Sequence, residues 1–270
     1  MITIDVLARL SDMIKNLINQ ASIDRLVTFK SIDLEEMNNA ALMKRIDNKY
    51  LLNLNQLDSF LLGLNNSYSI LKINETLNHS YSSIYYDTQD LKMYMEHHNK
   101  KANRYKIRKR IYNTSNDCFL EVKHKNNKGY TKKTRVEIDN FSTIIPTDRY
   151  DFIQTHTPFR PFNLRKTLKI DFYRFTLTNS KRNQRITIDT NLVFTYENAI
   201  HRMDNLVIAE IKSDRYSIDK TIFGVLKDLG IQSNGMSKYS IGLALMRQDL
   251  KQNLFKQKIH TLNKICYGNR

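Results

Sequence analysis

Arg104, Lys106, Arg108 and Arg110 place a cation at every second position of NRYKIRKRIY, residues 103–112. That interval is one face of an extended strand and not one face of a helix. Guanidinium and ammonium groups are the natural donors to phosphate oxygens: Arg offers a planar fork, Lys a point charge. Same-face neighbours on a strand lie about 7 Å apart, so these cations repel. Lys and Arg are also poor strand formers, and a protective lysine is normally placed singly at an edge. An ordinary sheet, charged side to water, fits the alternation equally well. An anion lying on the charged side would offset the repulsion.

Other segments repeat the pattern. Glu121, Lys123 and Lys125 share one side of CFLEVKHK (118–125), with Leu120 and Val122 opposite. Lys133, Arg135, Glu137 and Asp139 share one side of YTKKTRVEID (130–139). Arg185, Thr187 and Asp189 alternate with Ile186 and Ile188; Glu210 and Lys212 alternate with Ala209 and Ile211. Strands that are ionic on one side and apolar on the other can close into a barrel, ionic side inward and apolar side against helices. Such an interior, with so many cations, would be a polyanion site.

The elements that must position these residues follow from pattern. Leu7, Leu10, Ile14, Leu17 and Ile18 have helical spacing, and this first helix is expected to dock on the body. SIDLEEMNNAALM (31–43) reads as a short helix with Ser31 as N-cap. A strand is expected over 44–54, a helix over 55–65 ending near Gly63, and a strand over 81–88. Strands at 103–112, 118–125 and 130–139 form an antiparallel meander through the loop NTSND and the turn NNKG. Residues 141–168 hold all three prolines and read as short helices and loops. Further strands are expected at 168–178, 184–194 and 205–214, then a helix over 217–230 stopped by Gly230. Helical spacing resumes from Ser240 to Ile265, broken near Asn253. The sum is one α+β domain dominated by antiparallel strands, with helices at both ends.

Composition narrows the partner. Lys plus Arg number 43 against 27 Asp plus Glu in 270 residues, a net charge of +16. That excess favours nucleic acid, anionic lipid or a phosphate-rich ligand without choosing among them. The two cysteines, Cys118 and Cys266, have neither disulfide nor zinc spacing, and adjacent His97 and His98 suit no shared metal. There is no signal-peptide pattern and no apolar run long enough to cross a bilayer, so a soluble cytoplasmic protein is expected.

The stretches KRIDNKYLL, SSIYYDTQDLKMYMEHHNKKANRYKIRKRIY, FLEVKHKNNKGYTKKTRVEI, DFYRFTLT, QRITIDTNLVF, LVIAEIKSD and SKYSIGLAL come in the order of a known family. The chain resembles the VTC domain, the polyphosphate polymerase domain of the vacuolar transporter chaperone, and most of all its stand-alone bacterial versions. These belong to the triphosphate tunnel metalloenzyme, or CYTH-like, superfamily. The resemblance implies a closed antiparallel eight-stranded tunnel over residues 30–265, behind a helical extension at 1–29 and before a tail at 266–270. It implies transfer of the γ-phosphoryl group of ATP to the end of inorganic polyphosphate, with Mn²⁺ or Mg²⁺ as cofactor. By the same resemblance Arg108, Arg110, Lys123, Arg174 and Arg185 match the catalytic cations. Lys49, Lys133 and Lys238 join them in binding substrate, and Glu210 matches the metal ligand.

Some residues depart from the family's pattern. Asp47 stands where Glu is usual, and Gln184 where Glu is frequent. Lys109, on the side away from Arg108, is expected to be exposed. Glu121 is either a second metal ligand or, the favoured reading, an ion-pair partner. Arg104, Lys106, Lys125, Arg135 and Lys212 extend the basic path toward the openings by alternation alone. Rival readings are a metal-dependent triphosphatase on the same fold, a non-catalytic module that binds polyphosphate or inositol phosphates, and a nucleic-acid-binding sheet. The last ranks lowest, since few aromatics are interleaved with the cations for base stacking.

Overall fold

The computed structural model describes residues 20–38, 45–139, 141–181, 183–214 and 220–268. The amphipathic stretch from Leu7 to Ile18 and the end of the helix expected over 31–43 lie outside them. The strands are β1 (Lys30–Ile32), β2 (Arg45–Asn53), β3 (Tyr68–Leu71), β4 (His79–Thr88), β5 (Arg104–Tyr112), β6 (Asp117–Lys125), β7 (Thr131–Glu137), β8 (Leu164–Asn179), β9 (Gln184–Tyr196), β10 (Ala199–Met203) and β11 (Leu206–Asp214). The helices are α1 (20–26), α2 (Leu34–Asn38), α3 (Leu57–Leu62), α4 (Lys92–His98), α5 (Tyr150–His156), α6 (Thr221–Asp228), α7 (Lys238–Met246) and α8 (Lys256–Tyr267).

The strands pair in the order β2-β11-β9-β8-β4-β5-β6-β7. Between β2 and β6 lie six inter-strand steps, on the order of 30 Å in a flat sheet. Yet Lys123 on β6 feels the charges of Lys49 and Asp47 on β2 and Glu210 on β11. The sheet therefore curls until its ends face each other across a channel. Lys49, Arg108, Arg110, Glu121, Lys123, Arg174, Asp189 and Glu210 share the concave side. Many of the alternating apolar residues lie on the convex side: Leu52, Phe175, Ile186, Ile188, Val207 and Ala209 pack under α3 and α6, and Ile84, Ile107, Leu120 and Val122 pack under Ile138, Ile145, Ile153 and Phe159.

Two expectations are corrected here. The tunnel is not closed: the main path has eight strands, but no β2–β7 ladder joins its ends among the described residues, and β1, β3 and β10 bring the sheet to 11 strands. The free edge of β2 is already used, since Tyr50 bridges to Ser233 and the Asn234 N–H donates to the Lys49 carbonyl (2.8 Å). At the other edge β7 is exposed along most of its length and carries Lys132, Lys133 and Arg135, the charges that discourage edge pairing. Lys109, in turn, is fully buried and not exposed. Its ammonium donates to the Ser142 carbonyl and hydroxyl (both 3.1 Å) and to the Ile144 carbonyl, pinning the segment that covers the convex face of β5 and β6.

The ends of the helices were misplaced by a few residues. Asp33, not Ser31, caps α2: its carboxylate accepts from the Glu36 N–H (2.7 Å), and Glu36 accepts in return from the Asp33 N–H (3.3 Å). β1, β3, β10 and α4 had not been expected. α4 begins on the fully buried Asp87, which accepts from the Met93 and Tyr94 N–H groups (2.9 Å each) and from the Tyr239 hydroxyl of α7 (2.5 Å). One carboxylate thus joins the two helices that flank the channel.

α7 lies against the apolar half of the curled sheet. Tyr239 stacks on Tyr85 at 5.0 Å, and Gly242 packs so tightly that a Cβ there would run into the Phe194 ring and the Leu168 side chain. Gly242→Ala is therefore expected to destabilise the protein by about 1–3 kcal/mol through overpacking, measured by denaturant unfolding. Unchanged stability would mean that α7 is not seated as described.

Candidate functional site

Strand register decides which side chains meet on the concave side. Lys49 stands opposite Glu210, and Asp47 opposite Lys212, on the β2–β11 pair. Glu210 stands opposite Thr187, and Lys212 opposite Arg185, on the β11–β9 pair. Arg174 stands opposite Asp189 between β8 and β9, Arg110 opposite Ser83 between β4 and β5, and Arg108 opposite Glu121 between β5 and β6. Lys123 pairs with Lys133 across β6 and β7. Lys238 enters from the first turn of α7, where Ser237 is the N-cap.

Three carboxylates organise these cations. Glu121 is gripped by Arg108 (Nε to Oε2, 2.7 Å) and by Lys133. Asp189 takes both prongs of Arg174 (2.5 and 2.8 Å) and the ammonium of Lys238. Glu210 lies between Lys49 and Lys212. Arg110 donates to the Ser83 hydroxyl (3.1 Å), and Arg108 also donates to the Tyr85 hydroxyl (3.0 Å). Beneath them Tyr81 and Phe172 stack at 5.4 Å and offer their faces: Arg110 and Arg174 lie 5.5 and 5.3 Å from the Tyr81 ring, and Lys238 lies 4.8 Å from the Phe172 ring.

The channel therefore gathers Lys49, Arg108, Arg110, Lys123, Lys133, Arg174, Lys238 and Glu210 into one network. Arg185 sits at its margin, near the start of β9, where its guanidinium donates to the Met37 carbonyl at the end of α2 (2.7 Å). Glu121 holds the ion-pair role. Asp189 was missed as a site residue. The alternation Arg185, Thr187, Asp189 put it on the charged side, but only the fold shows two cations from different elements sharing it. The role of Tyr81 and Phe172 had no signal in the sequence, because strand aromatics usually belong to the core.

The ion pairs set the titration of the site. Burial would raise the carboxyl of Glu121, but Arg108, Arg110 and Lys133 outweigh it and bring it to about 2. Burial is likewise overcome at Asp189 by Arg174 and Lys238, and at Glu210 by Lys212 and Lys49; both lie well below the usual carboxylate range. The lysines shift the other way. Burial, then Lys123, Arg104, Lys49 and Arg108, push Lys106 well below its ordinary value. Lys123 keeps contact with solvent, yet the surrounding walls and then Lys49 and Arg108 lower it despite the opposing pull of Glu210. Burial, opposed by Glu121 but aided by Arg108 and Arg110, brings Lys133 to about 8.

The donors suit a hard divalent ion brought in with substrate phosphates. No group of three or more His, Cys, Asp or Glu stands ready for a metal among the described residues. Glu210, however, supplies a carboxylate, and the Thr187 hydroxyl opposite it is buried with no hydrogen-bond partner among the described residues. One carboxylate, phosphate oxygens and water make the usual shell of Mg²⁺.

The VTC domain family model matches residues 44–247, which span the channel. A search of curated proteins finds no match. Among solved structures, the chain resembles the PH1819 protein of Pyrococcus horikoshii OT3 at 17% identity and TM-score 0.44, covering 76% of this chain and 99% of that one. It resembles a putative adenylyl cyclase from Hippeastrum, described as having a dominant triphosphatase activity, at 14% identity and TM-score 0.46, over 78% and 99%. A putative adenylate cyclase from Bacillus halodurans matches at 13% identity and TM-score 0.46, over 72% and 94%. No helix among the described residues is long and apolar enough to cross a membrane.

An anion entering the channel stabilises the charged form of each lysine, so lysines held low must take up protons as it binds. Lys133, near 8, is only partly charged at pH 8. Titration calorimetry with sulfate, an anion that carries no proton of its own between pH 6 and 8, in buffers of different ionisation enthalpy, is expected to show net proton uptake at pH 8 that shrinks toward pH 6. Proton release at pH 8, or no exchange, would contradict the charge arrangement described.

Proposed function

Because the chain belongs to the VTC domain family, we propose that it is a polyphosphate polymerase that moves the γ-phosphoryl group of ATP onto the end of an inorganic polyphosphate chain. A terminal phosphate oxygen of the chain attacks the γ-phosphorus. The bond to the β–γ bridging oxygen breaks, and ADP leaves with that oxygen. Arg108, Arg110, Lys123 and Arg174 neutralise the transferring group and the leaving oxygen, and Arg185 adds its charge to theirs from the margin of the channel. Lys49, Lys133 and Lys238 hold the flanking phosphates. Glu210 would hold a divalent ion, Mn²⁺ or Mg²⁺, which when bound neutralises phosphate-oxygen charge. Phosphoryl transfer needs little else from a protein than such positioning and charge.

The observation that carries this reading is the state of the carboxylates. Glu121, Asp189 and Glu210 are each shared by two cations and held far down in pKa, so they make poor bases for activating water. A phosphate acceptor is already anionic and needs no base. Chain growth therefore asks nothing of these carboxylates beyond charge, and the length of the products separates it from hydrolysis by a metal-activated water.

Incubation with ATP and Mn²⁺ or Mg²⁺ is expected to give ADP and a length ladder of inorganic phosphate polymers. Release of orthophosphate alone would replace the polymerase with a triphosphatase, and no turnover would leave a binding module. Glu210→Gln is expected to cut turnover about 100-fold or more while retaining metal-free triphosphate binding, because Lys49 and Lys212 lose their competing carboxylate. Full activity in that variant would remove Glu210 from the proposed role.

A further inference from the structure

One mouth of the channel, where β5 and β6 run out beside α4, α7 and α8, carries cations that the proposed reaction does not use. Arg104 and Lys125 stand opposite each other on β5 and β6. Lys258 on α8 reaches the Gly235 carbonyl (2.5 Å), with Lys100 close enough to act on it. At the centre is His97 on α4, its Nδ1 2.8 Å from the Ser240 hydroxyl. The charges felt by His97 are those of Lys106, Arg104, Lys258 and Lys125, all positive; burial first, and then these, hold the imidazole neutral down to about 2.

These cations differ from most of the interior ones in what they bond. Glu121, Asp189 and Glu210 are each shared by two cations inside, whereas three of the mouth cations meet neutral acceptors. Arg104 donates to the Lys101 carbonyl (2.7 Å), Lys106 to the Ser237 hydroxyl (2.7 Å) and Lys258 to a carbonyl. Arg104, Lys106 and Lys258 have no ion-pair partner among the described residues, and Glu96, the carboxylate on α4, is committed to Lys101 (3.3 Å). Lys106 joins the two regions, because it also feels Lys123, Lys49 and Arg108 inside. From Arg110 to Arg104 the strand runs about 20 Å, longer than a three-phosphate unit.

We infer that this mouth is a second phosphate-binding subsite, gripping the part of a linear polyphosphate that has already left the reacting centre. The inference rests on the polymerase reading for the identity of the chain. The subsite needs no recognition of a base or sugar, only evenly spaced anions that pass from Lys106 to Arg104, Lys125 and Lys258. It sets the direction in which the chain lies: reacting end inside, older phosphates toward α8.

Equilibrium binding without nucleotide or metal tests the subsite apart from any turnover, so a failed polymerase assay leaves the result readable. The probes are inorganic triphosphate and long-chain polyphosphate. In Arg104→Ala/Lys125→Ala/Lys258→Ala, triphosphate affinity is expected to stay within about twofold while long-chain affinity falls roughly tenfold and loses salt sensitivity. Equal losses on both probes would place these cations in the central site, and no loss on the long chain would take the mouth off its path; either overturns the inference. Lys258→Glu, a single change at an exposed helical position, serves if the triple variant does not fold. It is expected to weaken the long chain alone, and an unchanged long-chain affinity would again overturn the inference.

Discussion

Like charges forced onto one concave surface are the constraint around which this molecule is built. A curled sheet brings the cations of β2, β5, β6, β7, β8, β9 and β11 toward one axis, and α7 adds Lys238. Their repulsion is contained in three ways. Three carboxylates each bridge two cations. The Tyr81 and Phe172 faces lie against Arg110, Arg174 and Lys238. Finally, lysines such as Lys106 and Lys133 lower their own proton affinity. None of these removes the positive excess, and a chain of phosphates would relieve all of it at once.

The convex side makes that arrangement affordable. Apolar residues at alternate positions bury under α3, α6 and the segment from Ile138 to Phe159. Hydrophobic burial there offsets the strain of the charged side, roughly 25 cal/mol per Å² of apolar surface removed from water. α7 has two duties. Its apolar body, seated through Gly242 and Tyr239, closes off the uncharged half of the sheet, and its first turn delivers Lys238 to Asp189.

Much of this was legible in the sequence because a strand has a period of two. Arg108, Lys123, Glu210 and their partners fall on the charged side by alternation alone, and the meander from β5 to β7 follows from its turns. What failed depended on contacts distant in sequence. Alternation put Lys109 on the outer side correctly, but it could not reveal that Ser142 and Ile144 would cover it and accept its hydrogen bonds. Closure of the barrel was expected from the repeated pattern, whereas the hydrogen-bonding edge of β2 is taken by Ser233 and Asn234. α4 is the exception: its first turn is held by Asp87 and Thr88 just upstream, across a left-handed Leu91, an arrangement unlike the usual cap spacing. Asp189 looked like one more strand carboxylate until the fold set Arg174 and Lys238 on either side of it.

The central claim is that the interior cations repel one another and that a polyphosphate relieves them. The most direct measurement is the melting temperature with inorganic triphosphate, set against sodium chloride at matched ionic strength. Ligand in hundredfold excess over its dissociation constant should add about 2.7 kcal/mol of stability, so triphosphate is predicted to raise the melting temperature well beyond the salt control. A melting temperature that moves no further with triphosphate than with sodium chloride would contradict it.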